Sequence, residues 1–257
     1  MNRILQLFER KTNNVLNVYC TAGYPRVDST LFVMKALQDN GADIIELGMP
    51  YSDPLADGPV IQQSSMMALD NGMSILKLFA QLKDFRHQIY TPVILMGYMN
   101  PVLQYGFEKF CQHAADVAID GLIIPDLPIH EFETEYSAII KRYGLSFIFL
   151  ITPETLEARI RKIDELSSGF IYAVSSSSTT GHTSSDTTGQ QAYFKRIQDM
   201  KLKNPVLIGF GIRDKETFTG ACAYANGAII GSAYIKSLGN SPNIETSTKE
   251  FLSAILK

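Results

Sequence analysis

Asn40-Gly41-Ala42-Asp43-Ile44-Ile45-Glu46-Leu47-Gly48 is the stretch on which the fold turns. A segment with helical spacing runs out at Asn40-Gly41, a pair suited to a left-handed helix cap. An apolar run follows at once, without alternation between apolar and polar positions. Continuous runs of this kind belong to parallel strands covered on both faces. Similar runs recur on either side: Val15–Cys20 before it, then Val93–Met96, Gly121–Ile124, Leu145–Ile151, Phe170–Val174, Val206–Ile208 and Ala228–Ile230. Asn226-Gly227 leads into the eighth run as Asn40-Gly41 leads into the second.

Helical spacing fills the gaps. Leu31, Met34 and Leu37 recur every three residues between Asp28 and Asn40, with Asp28 placed as the N-cap. Glu131–Tyr143 and Thr155–Leu166 read the same way, and an extra helix, Arg3 to Arg10, precedes the first run. Strand-helix alternation repeated eight times predicts an α/β chain with a parallel sheet. The 257 residues match one (β/α)8 TIM barrel, which typically needs about 250. A doubly wound open sheet is the competing arrangement. No linker or change of composition interrupts the chain, so residues 1–257 are expected to form a single barrel domain. Its long loops follow the second and sixth runs.

Composition removes several functions. The net charge is −3 with no long basic run, which argues against nucleic acid as a partner. Cys20, Cys111 and Cys222 show no CxxC spacing and read as reduced thiols. Charges at Arg3 and Glu9 break the first apolar stretch, so no signal peptide is expected. No stretch approaches the ~20 apolar residues that span a bilayer. A cytoplasmic protein is the expectation. His87, His113, His130 and His182 pair with no Cys or carboxylate at metal-ligand spacing, and no metal is expected.

In a (β/α)8 barrel the loops after the strands build the site. The loop after the second run is Pro-, Asp- and Gly-rich, from Met49 to Pro59. The loop after the sixth, Ser175 to Gly189, is nearly all Ser, Thr and Gly and reads as a lid. It lacks the GxSxG elbow of a serine nucleophile. Glu46 stands out, because a charge inside an apolar strand is costly unless it faces polar space or a ligand. At the barrel mouth, partial desolvation would favour its protonated form, which suits a carboxyl that gives and takes a proton. Asp57-Gly58 and Asp53-Pro54 are either turn formers or functional carboxylates; spacing alone leaves both open. The seventh run enters Gly209-Phe210-Gly211-Ile212. The eighth enters Gly231-Ser232 and a short helical piece, Ala233–Leu238. Exposed backbone N–H groups at Gly211 and Gly231, a helix N-terminus and the Ser232 hydroxyl together predict a phosphate site.

Pro50-Tyr51-Ser52-Asp53-Pro54-Leu55-Ala56-Asp57-Gly58-Pro59-Val60-Ile61-Gln62 closely resembles the signature of the tryptophan synthase α subunit family. Thr21–Pro25, Glu46–Gly48, Met96–Pro101, Pro125–Pro128, Gly209–Ile212 and Gly231–Ala233 fit that family in the same order. The motif sets aside another phosphate-binding barrel, such as a sugar-phosphate isomerase. The resemblance implies retro-aldol cleavage of indole-3-glycerol phosphate to indole and glyceraldehyde 3-phosphate, with no cofactor in this chain. It implies Glu46 as the proton-transferring group and Asp57 as the carboxylate that stabilises the positive indolenine nitrogen. Tyr19, Tyr172 and Phe210 match aromatics around the substrate, and Gly181, Gly211, Gly231 and Ser232 match phosphate-binding positions. Thr180 matches the partner of the loop carboxylate Asp57. Asp53 matches a residue facing a pyridoxal-phosphate β subunit in an α2β2 complex.

One stretch departs from the pattern. The family's Ser-x-x-Gly-Val-Thr-Gly is here Ser175-Ser176-Ser177-Ser178-Thr179-Thr180-Gly181, and no Arg follows soon after. A lost glycine and a hydroxyl in place of an apolar contact predict weak closure of this lid. The alternative expectation is therefore a catalytically impaired barrel kept as an allosteric activator of its β subunit.

Overall fold

The chain is described by a computed structural model covering residues 2–174, 187–209 and 211–257, with backbone alone at 187 and 188. Its strands are β1 (Val15–Thr21), β2 (Ile44–Gly48), β3 (Val93–Met96), β4 (Gly121–Ile123), β5 (Ser146–Phe147), β6 (Leu150–Ile151), β7 (Ile171–Val174), β8 (Val206–Gly209) and β9 (Gly227–Ile230). They lie in the order β5-β4-β3-β2-β1-β9-β8-β7-β6, and every pair is parallel. Neighbours in space are neighbours in sequence, except that β9 returns to β1. A doubly wound sheet would reverse its strand order at a switch point. This sheet has no such reversal.

β5 and β6 are the two halves of the run Leu145–Ile151. The Ile148 N–H donates to Leu122 O of β4 at 3.0 Å, and the Tyr172 N–H of β7 donates to Phe149 O at 2.9 Å. The fifth run therefore pairs backwards through its first half and forwards through its second, and it closes the ring. Eight apolar runs make a (β/α)8 barrel. Every residue of β1, β2, β3, β7, β8 and β9 is buried, which is why these runs show no polar alternation.

Several local readings change. Gly41 has φ +101°, as a left-handed cap requires, but Gly227 has no positive φ. A Cβ on Gly227 would lie 2.0 Å from the Val15 carbonyl oxygen, so this glycine lets β9 close on β1. The second helix spans Thr30–Asp39 with Ser29 at its N-cap. Asp28 is exposed and pairs with Arg26 instead. The predicted helix 131–143 starts earlier and carries a π-turn, Phe132–Tyr136, between Ile129–Glu131 and Ser137–Arg142.

The helix Arg3–Arg10 lies across the opposite end from the loops that follow the strands. Asn2 caps it by accepting from the Ile4 N–H at 2.9 Å. Ile4 is fully buried against Gly121 and Gly169. Asp120 anchors this end. Its buried carboxylate accepts from Arg3 Nη1 at 3.1 Å, from Arg86 Nη2 and from the Val93 N–H at 2.9 Å. Arg86 also donates to the carbonyls of Ala118 and Thr91, so the guanidinium ties three segments together.

The two arginines differ in exposure, 38% for Arg3 and 14% for Arg86. Removing one member of a buried ion pair leaves an uncompensated charge and costs about 3–5 kcal/mol, whereas an exposed pair is worth about 0–1 kcal/mol. Asp120→Asn is expected to approach the first figure and Arg3→Ala to stay within the second. Urea midpoints of the two variants against the parent check both values.

Candidate active site

A cavity of about 530 Å³ opens where the C-terminal ends of the strands meet. Glu46, Tyr19, Met96, Leu150, Tyr172 and Ile229 bring six strands to its wall. The long loop after β2 adds Ala56, Asp57 and Gly58, and the following helix, Pro59–Asp70, adds Ile61. The sequence reading placed Glu46 and Asp57 at one site, and the structure brings both to this cavity.

Glu46 stands in the middle of β2, opposite Tyr19 of β1 and Ile94 of β3. It is 1% exposed. Asn17 Nδ2 donates to Glu46 Oε2 at 2.7 Å. Burial disfavours the charged form and pushes the carboxyl up to about 8; the Asn17 hydrogen bond opposes this and the Asp57 charge adds to it. Glu46 is therefore largely a neutral acid at pH 7.

Asp57 belongs to a loop, yet it is 6% exposed. Three contacts hold it. The Ala56 N–H donates to the Tyr98 hydroxyl at 3.1 Å, that hydroxyl donates to the Asp57 carboxylate, and Gln62 Nε2 donates to Asp57 O at 2.8 Å. Burial raises its carboxyl to about 6, with the Tyr98 hydrogen bond pulling the other way. Asp57 is thus mostly ionised at pH 7, while Glu46 is mostly protonated.

Tyr19 and Tyr172 form the aromatic part of the wall. A Cβ on Gly48 would lie 2.1 Å from the Tyr19 hydroxyl, and one on Gly209 would lie 2.3 Å from Tyr172 Cε2. Gly209 therefore makes room for a ring. Burial drives both phenols far above their usual range, and both stay neutral.

Gly211, Gly231 and Ser232 line the same cavity with Arg213 and Lys236. Gly211 has φ +79° and open space where a side chain would be. Ser232 opens the helix Ser232–Gly239, two residues longer than the sequence suggested. The first N–H groups of a helix have no intrahelical acceptor and carry its positive dipole end. With two cations lining the same cavity, this corner has the chemistry to accept an anion.

A profile of the tryptophan synthase alpha chain matches residues 5–255. The alpha chain of Flavobacterium johnsoniae is 53% identical over 241 residues, 94% of this chain and 95% of that relative. The alpha chain of Flavobacterium psychrophilum is 51% identical over 255 residues, 99% of this chain and 100% of its own length. The chain belongs to the tryptophan synthase alpha chain family. Among solved structures, the subunit alpha of Legionella pneumophila superposes with a TM-score of 0.89 at 33% identity, covering 99% of this chain and 97% of that one. Tryptophan synthase from M. tuberculosis in its aminoacrylate-bound form gives 0.85 at 30% identity, covering 99% and 100%.

The remaining residues named from the sequence divide into two groups. Asp53 is exposed, accepts from the Ser52 hydroxyl and is not part of the cavity wall. Thr180, Gly181, Phe210 and His182, with the departing stretch 175–181, lie outside the described residues. Asn17, Tyr98, Arg213 and Lys236 were not singled out from the sequence. Asn17 carried a usable signal, because it is a polar side chain inside the run Val15–Cys20, the same anomaly that marked Glu46. Among the described residues no group of three or more His, Cys, Asp or Glu is arranged to hold a metal. No described helix is long and apolar enough to cross a membrane.

The raised carboxyls make stability depend on pH. A carboxyl whose folded pKa exceeds its unfolded value binds its proton more tightly when folded. Its contribution is fully present below the unfolded pKa and is lost as pH rises through the folded one. For Glu46 that window runs from about 4.5 to about 8. Glu46→Gln is therefore expected to leave stability little changed at pH 5 and to raise it at pH 8 by a gain on the order of kcal/mol. Urea unfolding of the ligand-free chain at both pH values checks this; an equal effect at pH 5 and pH 8 contradicts it.

Proposed function

We propose that this chain is a lyase that cleaves indole-3-glycerol phosphate to indole and glyceraldehyde 3-phosphate, with no cofactor of its own. One observation carries the reading: two buried carboxyls of different acidity share an apolar, aromatic-walled cavity with a helix N-terminus and two cations. The phosphate of the substrate takes the anion corner at Gly211, Gly231 and Ser232, and the flat ring lies among Tyr19, Tyr172 and the aliphatic side chains.

The chemistry then follows from the protonation states. Protonated Glu46 gives its proton to the ring carbon that bears the glycerol chain. The positive charge that develops on the indole nitrogen is met by ionised Asp57, a preplaced anion in a site of low dielectric. Glu46, now a carboxylate, takes the proton of the adjacent glycerol hydroxyl. The C–C bond breaks, its electron pair returns to the ring, and the hydroxyl carbon leaves as an aldehyde. Glu46 ends as it began, so no external acid or base is consumed.

Family membership also supports assembly with a pyridoxal-phosphate β subunit in an α2β2 complex. Asp53 and Leu55, which is 77% exposed, stand on the outside of the loop that carries Asp57 and would face that partner. No observation on the described residues favours a barrel retained only as an activator.

The test is indole release from indole-3-glycerol phosphate, by the chain alone and with its β subunit. The rate is expected to rise with pH through about 6, as Asp57 ionises, and to fall through about 8, as Glu46 loses its proton. Glu46→Gln is expected to lower kcat by roughly 10²–10⁴. Asp57→Asn is expected to lower it by about 10²–10³ with a smaller change in KM. Indole release that survives Glu46→Gln at the parent rate would reject the assignment. Indole release that is negligible in the parent, beside a β reaction accelerated by the chain, would favour the activator.

A further inference from the structure

Asn17 is fully buried on β1, with Ile44 of β2 and Ile229 of β9 as its strand neighbours. It shares a face of β1 with Tyr19, one pleat further from the cavity. A polar amide in such surroundings is unfavourable unless its hydrogen bonds are made. One is seen: Nδ2 donates to Glu46 Oε2 at 2.7 Å, and Oδ1 is buried with no partner among the described residues. The unused acceptor lies on the same amide group as the donor that holds the carboxylate.

The proposed reaction makes a demand that this arrangement meets. Glu46 passes between carboxylic acid and carboxylate in each turnover. A carboxylate accepts at both oxygens, whereas the acid keeps one accepting carbonyl oxygen and gains an O–H on the other. A donor fixed on Oε2 serves both forms, a carboxylate oxygen in one and the carbonyl oxygen of the acid in the other, provided the proton is on Oε1. An apolar neighbour would serve neither.

We propose that Asn17 is a positioning residue that holds Glu46 through both protonation states, donating from Nδ2 to Oε2 whether that atom belongs to the carboxylate or is the carbonyl oxygen of the acid, so that the proton is carried on Oε1. Its bond takes Oε2 and leaves Oε1 for the substrate. Asn17 does not touch the reacting atoms; it acts through Glu46. The inference rests on the proposed lyase reading and deepens it.

The titratable groups around Glu46 are Tyr19 and Cys20 on β1, Asp57 on the loop after β2 and Tyr172 on β7. Burial raises the phenols and the thiol, so they stay neutral across the working range, and Asp57 titrates lower, at about 6. A transition near 8 therefore belongs to Glu46.

The experiment follows that transition in the ligand-free chain labelled with ¹³C-carboxyl glutamate. Infrared spectra are recorded against pH, and the Glu46 band is identified by its loss in Glu46→Gln. Asn17→Leu, close in shape, removes both donor and acceptor. Its Glu46 midpoint is expected to rise by roughly half a pH unit or more, because the bond that favours the charged form is gone. The alkaline limb of indole release should move with it, kcat should fall about tenfold or more, and KM should change less than about threefold. Asn17→Asp keeps the shape and replaces the amide with a second carboxyl. It is expected to raise the midpoint too, and it carries the test if the leucine variant does not fold. Folded variants that leave both the Glu46 midpoint and the alkaline limb unmoved overturn the inference, since a space-filling Asn17 predicts that result. The infrared titration needs no turnover, so absence of indole release in the parent would count against the lyase reading and leave the Asn17 coupling separately measured.

Discussion

The constraint on which the rest of the molecule depends is the closure of the sheet through Leu145–Ile151. A strand edge presents unpaired N–H and C=O groups, and an open parallel sheet has two such edges. Here the run at one edge is also the run at the other, pairing with β4 through Ser146–Phe147 and with β7 through Leu150–Ile151. Closure points the C-terminal ends of all the strands to a single rim. Residues as far apart in sequence as Tyr19, Glu46, Tyr172 and Gly231 meet there because the ring has nowhere else to send them. Closure also buries the strands on both faces, which makes every polar group inside expensive and therefore informative.

Two buried carboxylic residues show how the fold uses that expense. Asp120 is surrounded by donors and paired with Arg86 and Arg3 at the end of the barrel opposite the cavity. Glu46 is equally buried but receives a neutral amide instead of a cation. Its charged form is left under-compensated, and its acidity falls into the range where a proton can be given and regained. Asp57, on a loop and held by a tyrosine hydroxyl, is pushed less far. One cavity thus holds an acid and an anion at the same pH because the two carboxyls occupy different surroundings. The cost is carried by the ligand-free chain, whose stability declines over the same pH interval that readies Glu46 for chemistry.

Much of this was legible before the structure, and the limits have physical causes. The barrel could be read because complete burial of its strands removes alternation, a property each run shows by itself. Glu46 could be read because a charge in such a run has few explanations. Asn226-Gly227 was misread because a cap and a close strand approach ask for the same residue, and the Val15 carbonyl that decides between them is remote in sequence. Asp57 could not be raised above a turn former by spacing, since its burial depends on Tyr98 and Gln62. Arg213 and Lys236 carried no signal in the sequence, because the cavity beside them exists only in the folded chain. Asn17 was legible by the rule that found Glu46, and it went unused because an amide in an apolar strand attracts less suspicion than a charge.

The two ends of the cavity also explain each other. Gly48 and Gly209 provide the space into which Tyr19 and Tyr172 turn, so the wall near Glu46 is aromatic where a side chain on either glycine would have displaced the ring. The corner at Gly211, Gly231 and Ser232 adds N–H groups and the cations Arg213 and Lys236, with Tyr19 close beside Gly231 and Phe251 also in the wall. A ligand with a flat apolar part and a dianionic part can satisfy both ends in one orientation only. Reversal would put a phosphate against two buried carboxyls and apolar rings, where it would meet repulsion and desolvation together. Orientation is thus set by chemical mismatch rather than by a single recognition contact. The bond joining the two parts of the proposed substrate then lies between the ends, within reach of a carboxyl whose acidity the closed barrel has already raised.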